Sequence, residues 1–377
     1  TLCRFNLFIS NHLSREFYTF IYFLSISVKR YIYIRQEMRS HMNINIYDVS
    51  KKAGVSIATV SRVLNGNTRV SEKTRDKVIN AMKELDYTPN VFARGLGLNT
   101  MKTIGIMCID SSDIYLANAV YYLEQELRKY NYDSILCCTG KDYNNKKNYL
   151  ELLLSKRVDG IILAGSQFVE NTSEHNNDYI INAAKDVPIV LVNGYLDAAN
   201  IYSVMCNDEE AVYNATKLLI NNSHRNIVYL YTSTSYSGVN KYHGYLKAIN
   251  EAGITLPDEF HHLCGKNISH ARDYLTYLYD KGMKFDAVMT SDDSIAAGAV
   301  KFAHTHGIRI PEDLEVIGYN NSVLSLCTEP ELTSIDSKVE ELSSCAVSVL
   351  MKVLSGEDAD NHSIIAADII KRNTTIF

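Results

Sequence analysis

One twenty-residue segment, Ile46 to Asn65 (IYDVSKKAGVSIATVSRVLN), constrains this chain more than any other. Val49, Ala53, Val60 and Val63 recur at helical intervals with Leu64 beside them, which predicts two short helices, each with a narrow apolar stripe and a free polar face. Neither helix can hide its stripe alone. Gly54 falls where the first must stop, because a residue without Cβ adopts the left-handed conformation cheaply. Ser56 follows as the cap of the second. Two short helices around so tight a turn are the spacing with which a chain offers a helix to the major groove of DNA.

The second helix turns Ile57, Ala58, Thr59, Ser61 and Arg62 outward. An arginine fork pairs with guanine and small apolar side chains touch thymine methyls, so this face suits base reading. The alternative is an ordinary helical hairpin with a solvated polar face. Residues Val70 to Tyr87 predict a third helix, N-capped by Ser71, with Val78, Ala81, Met82 and Leu85 on one face. Three short helices can bury one small core. Residues 42–99 carry nine cations against five acids, a net of about +4 that favours phosphate contacts. Residues 100–377 invert that balance to about −13, which argues against a second nucleic-acid surface there.

That acidic remainder is long enough for two α/β lobes. Apolar runs alternate with amphipathic helices: TIGIMCI, a helix at 120–130, SILCC, a helix at 149–155, DGIILAG and VPIVLVNG. After Asn207 the rhythm restarts with a helix at 210–221, NIVYLYT, a helix at 241–252, DAVMTSD and LEVIGYN. Continuous apolar strands separated by helices imply parallel sheets built by right-handed crossovers.

Several motifs together carry a resemblance: IYDVSKKAGVSIATVSRVLNG, YTPNVFARGL, KTIGIM, KRVDGIIL (156–163), GYLKAINEAGI (244–254), DSIAAGAV (293–300), PEDLEVIGYNN (311–321) and ELTSI (331–335). As a set, from Met42 to the C-terminus, they resemble the LacI/GalR family of bacterial transcription regulators. The resemblance implies a small all-α helix-turn-helix DNA-binding domain (42–88), a hinge helix (89–101) and a two-lobe α/β effector domain of the periplasmic-binding-protein-like type I kind (102–377). In the family the hinge folds in the minor groove, which places Asn90 and Arg94 on DNA and makes Leu96 the wedge that kinks the duplex. Otherwise Leu96 is a plain linker residue. Gly95 and Gly97 each cost a helix roughly 1 kcal/mol relative to alanine, so the free hinge is expected to be disordered. Arg62, Ile57 and Ala58 are then expected to read bases, while Tyr47, Ser56, Thr59, Ser61 and Asn65 hold phosphates or register.

Ligands of such folds lie where the carboxyl ends of strands face each other across the cleft. Strand ends nominate Asp110, Ser111, Asp113, Tyr115, Asn193, Asn207, Lys241, Ser291, Asp293 and Asn320 for effector binding. Their donors and acceptors suit a sugar-like or phosphorylated effector. Lys241 stands where many sugar-responsive members have Arg, and Asn207 and Asn320 stand where Asp is common, so an ordinary hexose pocket is not expected. The alternatives are that Asp293 caps the next helix, Asn320 closes a turn and Lys241 is a solvated helix residue. Carbon catabolite control proteins of low-GC Gram-positive bacteria share the hinge and the lysine, and take a serine-phosphorylated phosphocarrier protein as partner. In AHTHGIRIPED (303–313), however, His306 replaces their phosphoserine-binding Arg.

Residues 1–41 do not resemble the family and are expected to be an extension translated from upstream of a start at Met42 or Met38. The apolar run Phe17–Val28 is too short to span a bilayer. Eight cysteines form no metal box and read as reduced thiols of a cytoplasmic protein. No nucleophile elbow, Walker loop or dinucleotide turn appears, so neither catalysis nor a cofactor is expected. The reading is a homodimeric repressor that recognises an inverted-repeat operator in double-stranded DNA under small-molecule control. A solute sensor that never touches DNA is the competing class.

Overall fold

The computed structural model describes residues 44–64, 69–87, 100–170 and 176–377. Asn65, Asn90, Arg94 and Leu96 lie outside those residues, as do the rest of the hinge and residues 1–41. The chain forms two compact units, 1–99 and 100–377. Among the described residues no helix is long and apolar enough to cross a membrane.

In the first unit, α1 (Ile46–Ala53), α2 (Ile57–Leu64) and α3 (Glu72–Glu84) surround Val49, Val60, Val63, Val78 and Ala81. Asn45 and Asp48 form a reciprocal cap at the start of α1. Gly54 ends that helix at φ 65°, ψ 35°, the left-handed geometry anticipated for it. Ser56 Oγ accepts from Thr59 N at 3.2 Å and so caps α2. α3 is shorter than the periodicity suggests: Ser71 holds the cap position, but its hydroxyl meets that of Thr74 instead of a backbone amide. A Lys52–Glu84 ion pair at 2.8 Å joins α1 to α3.

The second unit contains two six-stranded sheets. The first is built from β1 (Thr103–Cys108), β2 (Asp133–Cys138), β3 (Gly160–Ala164), β4 (Ile189–Val192), β5 (Ile201–Cys206) and β11 (His362–Ile365), all parallel, in the order β11-β5-β4-β3-β1-β2. The second contains β6 (Ile227–Tyr231), β7 (His261–Leu263), β8 (Ala287–Thr290), β9 (Glu315–Tyr319), β10 (Thr333–Asp336) and β12 (Asp368–Ile370), ordered β12-β10-β9-β8-β6-β7, with only β12 antiparallel. Strand residues alternate between two cores on opposite faces of each sheet. Ile104, Ile106, Ile162 and Val190 face one side of the first sheet, whereas Met107, Ile161, Leu163 and Leu191 face the other.

Helices flank both sheets: α4 (Ile114–Lys129), α5 (Tyr143–Ser155), α6 (Asp178–Ala183), α7 (Asp208–Asn221), α8 (Tyr236–Glu251), α9 (Ile268–Asp280), α10 (Asp293–His306), α11 (Leu324–Cys327) and α12 (Val339–Ser355). α4, α5 and α8 begin several residues before their expected starts. Asp113 and Asp142 accept from backbone amides at the first two of those starts and extend the helix across polar turns that apolar periodicity does not register.

The restart after Asn207 marks only the first of three crossings between the lobes. After β10 the chain returns, so that α12 packs Leu342, Ala346 and Leu350 against the first sheet and β11 joins β5. It then crosses again to β12. The crossings are tied together: Asn207 N donates to Ile365 O at 3.0 Å, and Lys338 pairs with Asp368 at 2.6 Å.

Candidate DNA-binding face and effector cleft

On the three-helix unit the core valines point inward, which forces the opposite face of α2 outward. Ile57, Ala58 and Arg62 are exposed, and Arg62 makes no ion pair with any described residue. Tyr47, near the start of α1, is 66% exposed, too free to be a packing residue. Thr59 and Ser61 are half-buried, and the Thr59 hydroxyl is engaged by Ser56 at 2.9 Å. The face thus offers a long cation, a branched alkyl group and a methyl on one rigid helix.

Between the two lobes lies a polar cavity of about 80 Å³. Six of the ten nominated residues line it: Asp113, Tyr115, Asn193, Lys241, Ser291 and Asn320. Asn193 and Asn320 occupy corresponding places, just beyond β4 in one lobe and β9 in the other, with φ of 59° and 93°. Asparagine tolerates that backbone, which ends the strand and leaves the amide at the cleft. Asn193 donates to the Tyr115 hydroxyl at 2.6 Å and accepts from Cys206 N at 2.9 Å. Asn320 donates to Asp292 at 3.0 Å.

Lys241 is a buried residue, not the solvated helix lysine of the alternative reading. Its ammonium lies 3.6 Å from the centre of the Tyr319 ring, 4.0 Å from Asp208 and 3.4 Å from Ser291 O. Burial pulls its pKa below the usual lysine range, and Asp208 only partly offsets this. Tyr319 in turn donates to Asp208.

The remaining nominees stand outside the cavity. Asp110 is exposed and accepts from Ser112 N at 2.9 Å and Ser112 Oγ at 2.7 Å, which holds its carboxyl below the ordinary range. Ser111 is an exposed residue of the same turn. Asn207 sits at the start of α7 and donates to Glu210. Asp293 is 1% exposed and turns into the second lobe, where it accepts from Ser322 N and Ser334 Oγ, both at 2.6 Å. Burial raises its pKa to about 6. A Cβ on Gly318 would lie 2.2 Å from its carboxylate, so the two residues fit only as a pair. Asp293 does not cap α10 either. That role belongs to Asp292, which accepts from Ser294 N at 2.9 Å and sends its other oxygen to the cleft.

Strand-end reading missed Asp292, Lys266 and the hydroxyl-rich run Thr232, Ser233, Ser235 and Ser237, all on the cavity wall. Lys266 follows Gly265, whose φ of 62° turns the loop after β7 toward the cleft. From there its ammonium bridges Asp292 at 3.1 Å in its own lobe and Asp113 in the other. Burial opposes that charge, yet the two carboxylates raise its pKa above the usual value. Ser166 and Ser235 also meet across the lobes, hydroxyl to hydroxyl at 2.8 Å. These contacts describe a closed cleft. His306, by contrast, bonds Phe302 O through Nδ1 at 2.9 Å and packs against Tyr279 and Phe302, in no position to replace an outward arginine.

A trihelical unit with an exposed recognition face, followed by a two-lobed α/β unit around a polar cleft, defines a ligand-responsive DNA-binding regulator. Residues 45–90 match the bacterial regulatory proteins of the lacI family, and residues 101–373 match the periplasmic binding proteins and sugar binding domain of the LacI family. An HTH-type transcriptional regulator of Lachnoclostridium phytofermentans is 54% identical over 333 residues, 88% of this chain and 100% of that protein. Catabolite control protein A of Priestia megaterium is 32% identical over 86% of this chain and 96% of its own length. The fold is that of the lac repressor dimer bound to operator and the anti-inducer ONPF, with a TM-score of 0.79 at 24% identity, covering 89% of this chain and 100% of that one. The chain belongs to the LacI family and is an effector-controlled DNA-binding transcriptional regulator. The matched relatives are regulators of transcription, not enzymes.

Proposed function

We propose that the protein is a cytoplasmic repressor that binds an inverted-repeat operator as a homodimer and answers to a small polar effector held between its lobes. The observation that carries this reading is the exposed Ile57–Ala58–Arg62 face of α2, set on a packed trihelical core within a basic segment. A solute sensor has no use for such a face. One α2 helix covers only a few base pairs, so two-fold symmetry supplies the second half-site. Residues 42–88 form the DNA-binding domain and 89–101 the hinge, with Asn90, Arg94 and Leu96 in the minor groove and Asn65 on the backbone. Residues 102–377 bind the effector and the second subunit.

The effector itself is a sugar or sugar phosphate. Supporting this are the amides of Asn193 and Asn320, the carboxylates of Asp113 and Asp292, two lysines and seven hydroxyl side chains along one cavity. Control by a phosphorylated carrier protein has the 32% identity to catabolite control protein A in its favour, but the inward His306 does not support it.

Selection from a randomised duplex library followed by mobility shift tests the proposal. A symmetric site bound by the full chain, and equally by a chain beginning at Met42, is the expected result. No preference for any symmetric duplex over random DNA, with or without sugars and sugar phosphates, would overturn it.

A further inference from the structure

Cysteine spacing in the sequence draws attention to the adjacent Cys137 and Cys138, but the fold separates them. β1 and β2 run parallel, and their last register pair is Cys108 with Cys138. Cys137, one residue earlier, faces the opposite core with Met107 and Leu150. The Cys108 and Cys138 sulfurs are 3.7 Å apart, both thiols are free, and no other pair of described cysteines is placed in this way. Directly opposed parallel strands lie about 4.8 Å apart, inside the Cα separation a disulfide tolerates. Cys138 lies on β2, the edge strand of the sheet, and Cys108 on its neighbour β1, so the partner with a free side is the one that can shift.

We propose that Cys108 and Cys138 are a thiol–disulfide modification site, oxidised by a hydroperoxide and restored by a thiol reductant. The two sulfurs differ in a way that sets the order of events. Cys138 is exposed and meets the oxidant, whereas Cys108 is buried and burial pushes its thiol up to about 12. The Cys138 thiolate attacks one peroxide oxygen and becomes a sulfenic acid, and the other oxygen leaves with a proton as water (or as an alcohol). The Cys108 sulfur then displaces the hydroxyl of that sulfenic acid. Its proton goes with the hydroxyl as water, and the S–S bond remains. Two electrons pass from the two thiols to the peroxide.

Closing 3.7 Å to the roughly 2.05 Å of a disulfide pulls the end of β2 toward β1, where Thr139 N and Gly140 N donate to Cys108 O and Ile109 O, each at 2.9 Å. Ile109 follows Cys108 directly and Asp113 four residues later, and both line the cleft. Oxidation is therefore expected to disturb the Asp113 end of the Lys266 bridge.

The test uses the full chain, reduced, freed of reductant and exposed to a modest excess of hydrogen peroxide. The expected result is the loss of two free thiols per chain, a mass lower by two hydrogens, a non-reduced peptide joining Cys108 to Cys138, and reversal by dithiothreitol. Cys138→Ser changes an exposed side chain and should remain folded but never form the link. Cys137→Ser should still form it. A link between two chains, a link through Cys137, or over-oxidation of Cys138 with no link to Cys108 would each overturn the proposal.

Discussion

Lys266 is the side chain whose removal most directly tests whether the cleft is held shut by its own charges. Its stem is 40% exposed, but its ammonium lies between carboxylates whose side chains are only 11% (Asp113) and 10% (Asp292) exposed. At 2.5 Å and an effective dielectric near 20, the bare attraction to Asp113 across the cleft is about 7 kcal/mol. Desolvation and the ordering of a long side chain remove most of that, and fully exposed pairs keep about 1 kcal/mol or less. A half-sheltered bridge should retain about 1 to 2 kcal/mol. Asp113 also caps α4, accepting from Leu116 N at 3.1 Å, so a simple alanine would confuse two losses. Asn is as good a cap as Asp, and Asp113→Asn therefore removes the charge while sparing the helix. A double-mutant cycle of Lys266→Met and Asp113→Asn, read from urea unfolding of the effector domain within the full chain, should give a coupling of about 1 to 2 kcal/mol. A coupling below about 0.3 kcal/mol would mean that the two groups act independently and that the bridge does not hold the lobes.

Arg62→Ala should relax sequence preference at one operator position by roughly 1 to 3 kcal/mol, whereas Tyr47→Phe should weaken all sites alike. Mobility shifts on single-base operator variants separate the two, and equal losses on every sequence for Arg62→Ala would exclude base reading. His224 lies between Asp286 at 3.3 Å and the fully buried Glu315 at 3.2 Å. Burial works against its charged ring, but both acids outweigh that and raise it to about 9. A raised folded pKa means that the stabilisation is complete below the unfolded value near 6.5 and is lost as pH rises through 9, so the wild-type advantage over His224→Gln, on the order of 1 to 3 kcal/mol in thermal melts, should vanish at alkaline pH. Gly244→Ala should destabilise by about 1 to 3 kcal/mol or more, measured by denaturant unfolding, because the new Cβ would lie 2.1 Å from Glu209 O where α8 meets α7.

The sequence exposed more of the fold than of the cleft, for a physical reason. Strands such as Ile161–Ala164 and Ile189–Val192 are buried on both faces and announce themselves as apolar runs. β7 has three residues, two of them histidines, so nothing marked the loop that delivers Lys266. α9 carries its core contacts on Ala271, Leu275 and Leu278 among tyrosines and charges, which blur the helical period. The return of the chain to the first lobe was hidden because local pattern does not say which sheet a helix covers. Within the cleft, a single step along the chain decided the outcome. Successive residues at a strand end point opposite ways, and Asp292 faces the cavity while its neighbour Asp293 serves the fold. The turn after β1 behaves likewise, since Ser112 occupies Asp110 and leaves Asp113 free to reach Lys266.

The size of the bridge limits how an effector can act. Lys266 spans the cavity between the lobes, so an effector that takes up Asp113 or Asp292 must displace the ammonium from at least one of its carboxylates. The Ser166–Ser235 hydroxyl pair adds about 0.5 to 1.5 kcal/mol, so together with the bridge the closed cleft gains about 1.5 to 3.5 kcal/mol. Driving a two-state equilibrium from 1:99 to 99:1 takes about 5.5 kcal/mol of differential affinity. The protein's own contacts supply roughly half of that, which leaves the cleft biased but not locked. An effector tips the balance only through groups that meet both lobes at once, because contacts confined to one lobe bind equally well in either arrangement. An effector that bonds Asn193 or Asp113 on one side and Asp292 or Asn320 on the other satisfies that condition, and it competes with the Lys266 ammonium for the two carboxylates.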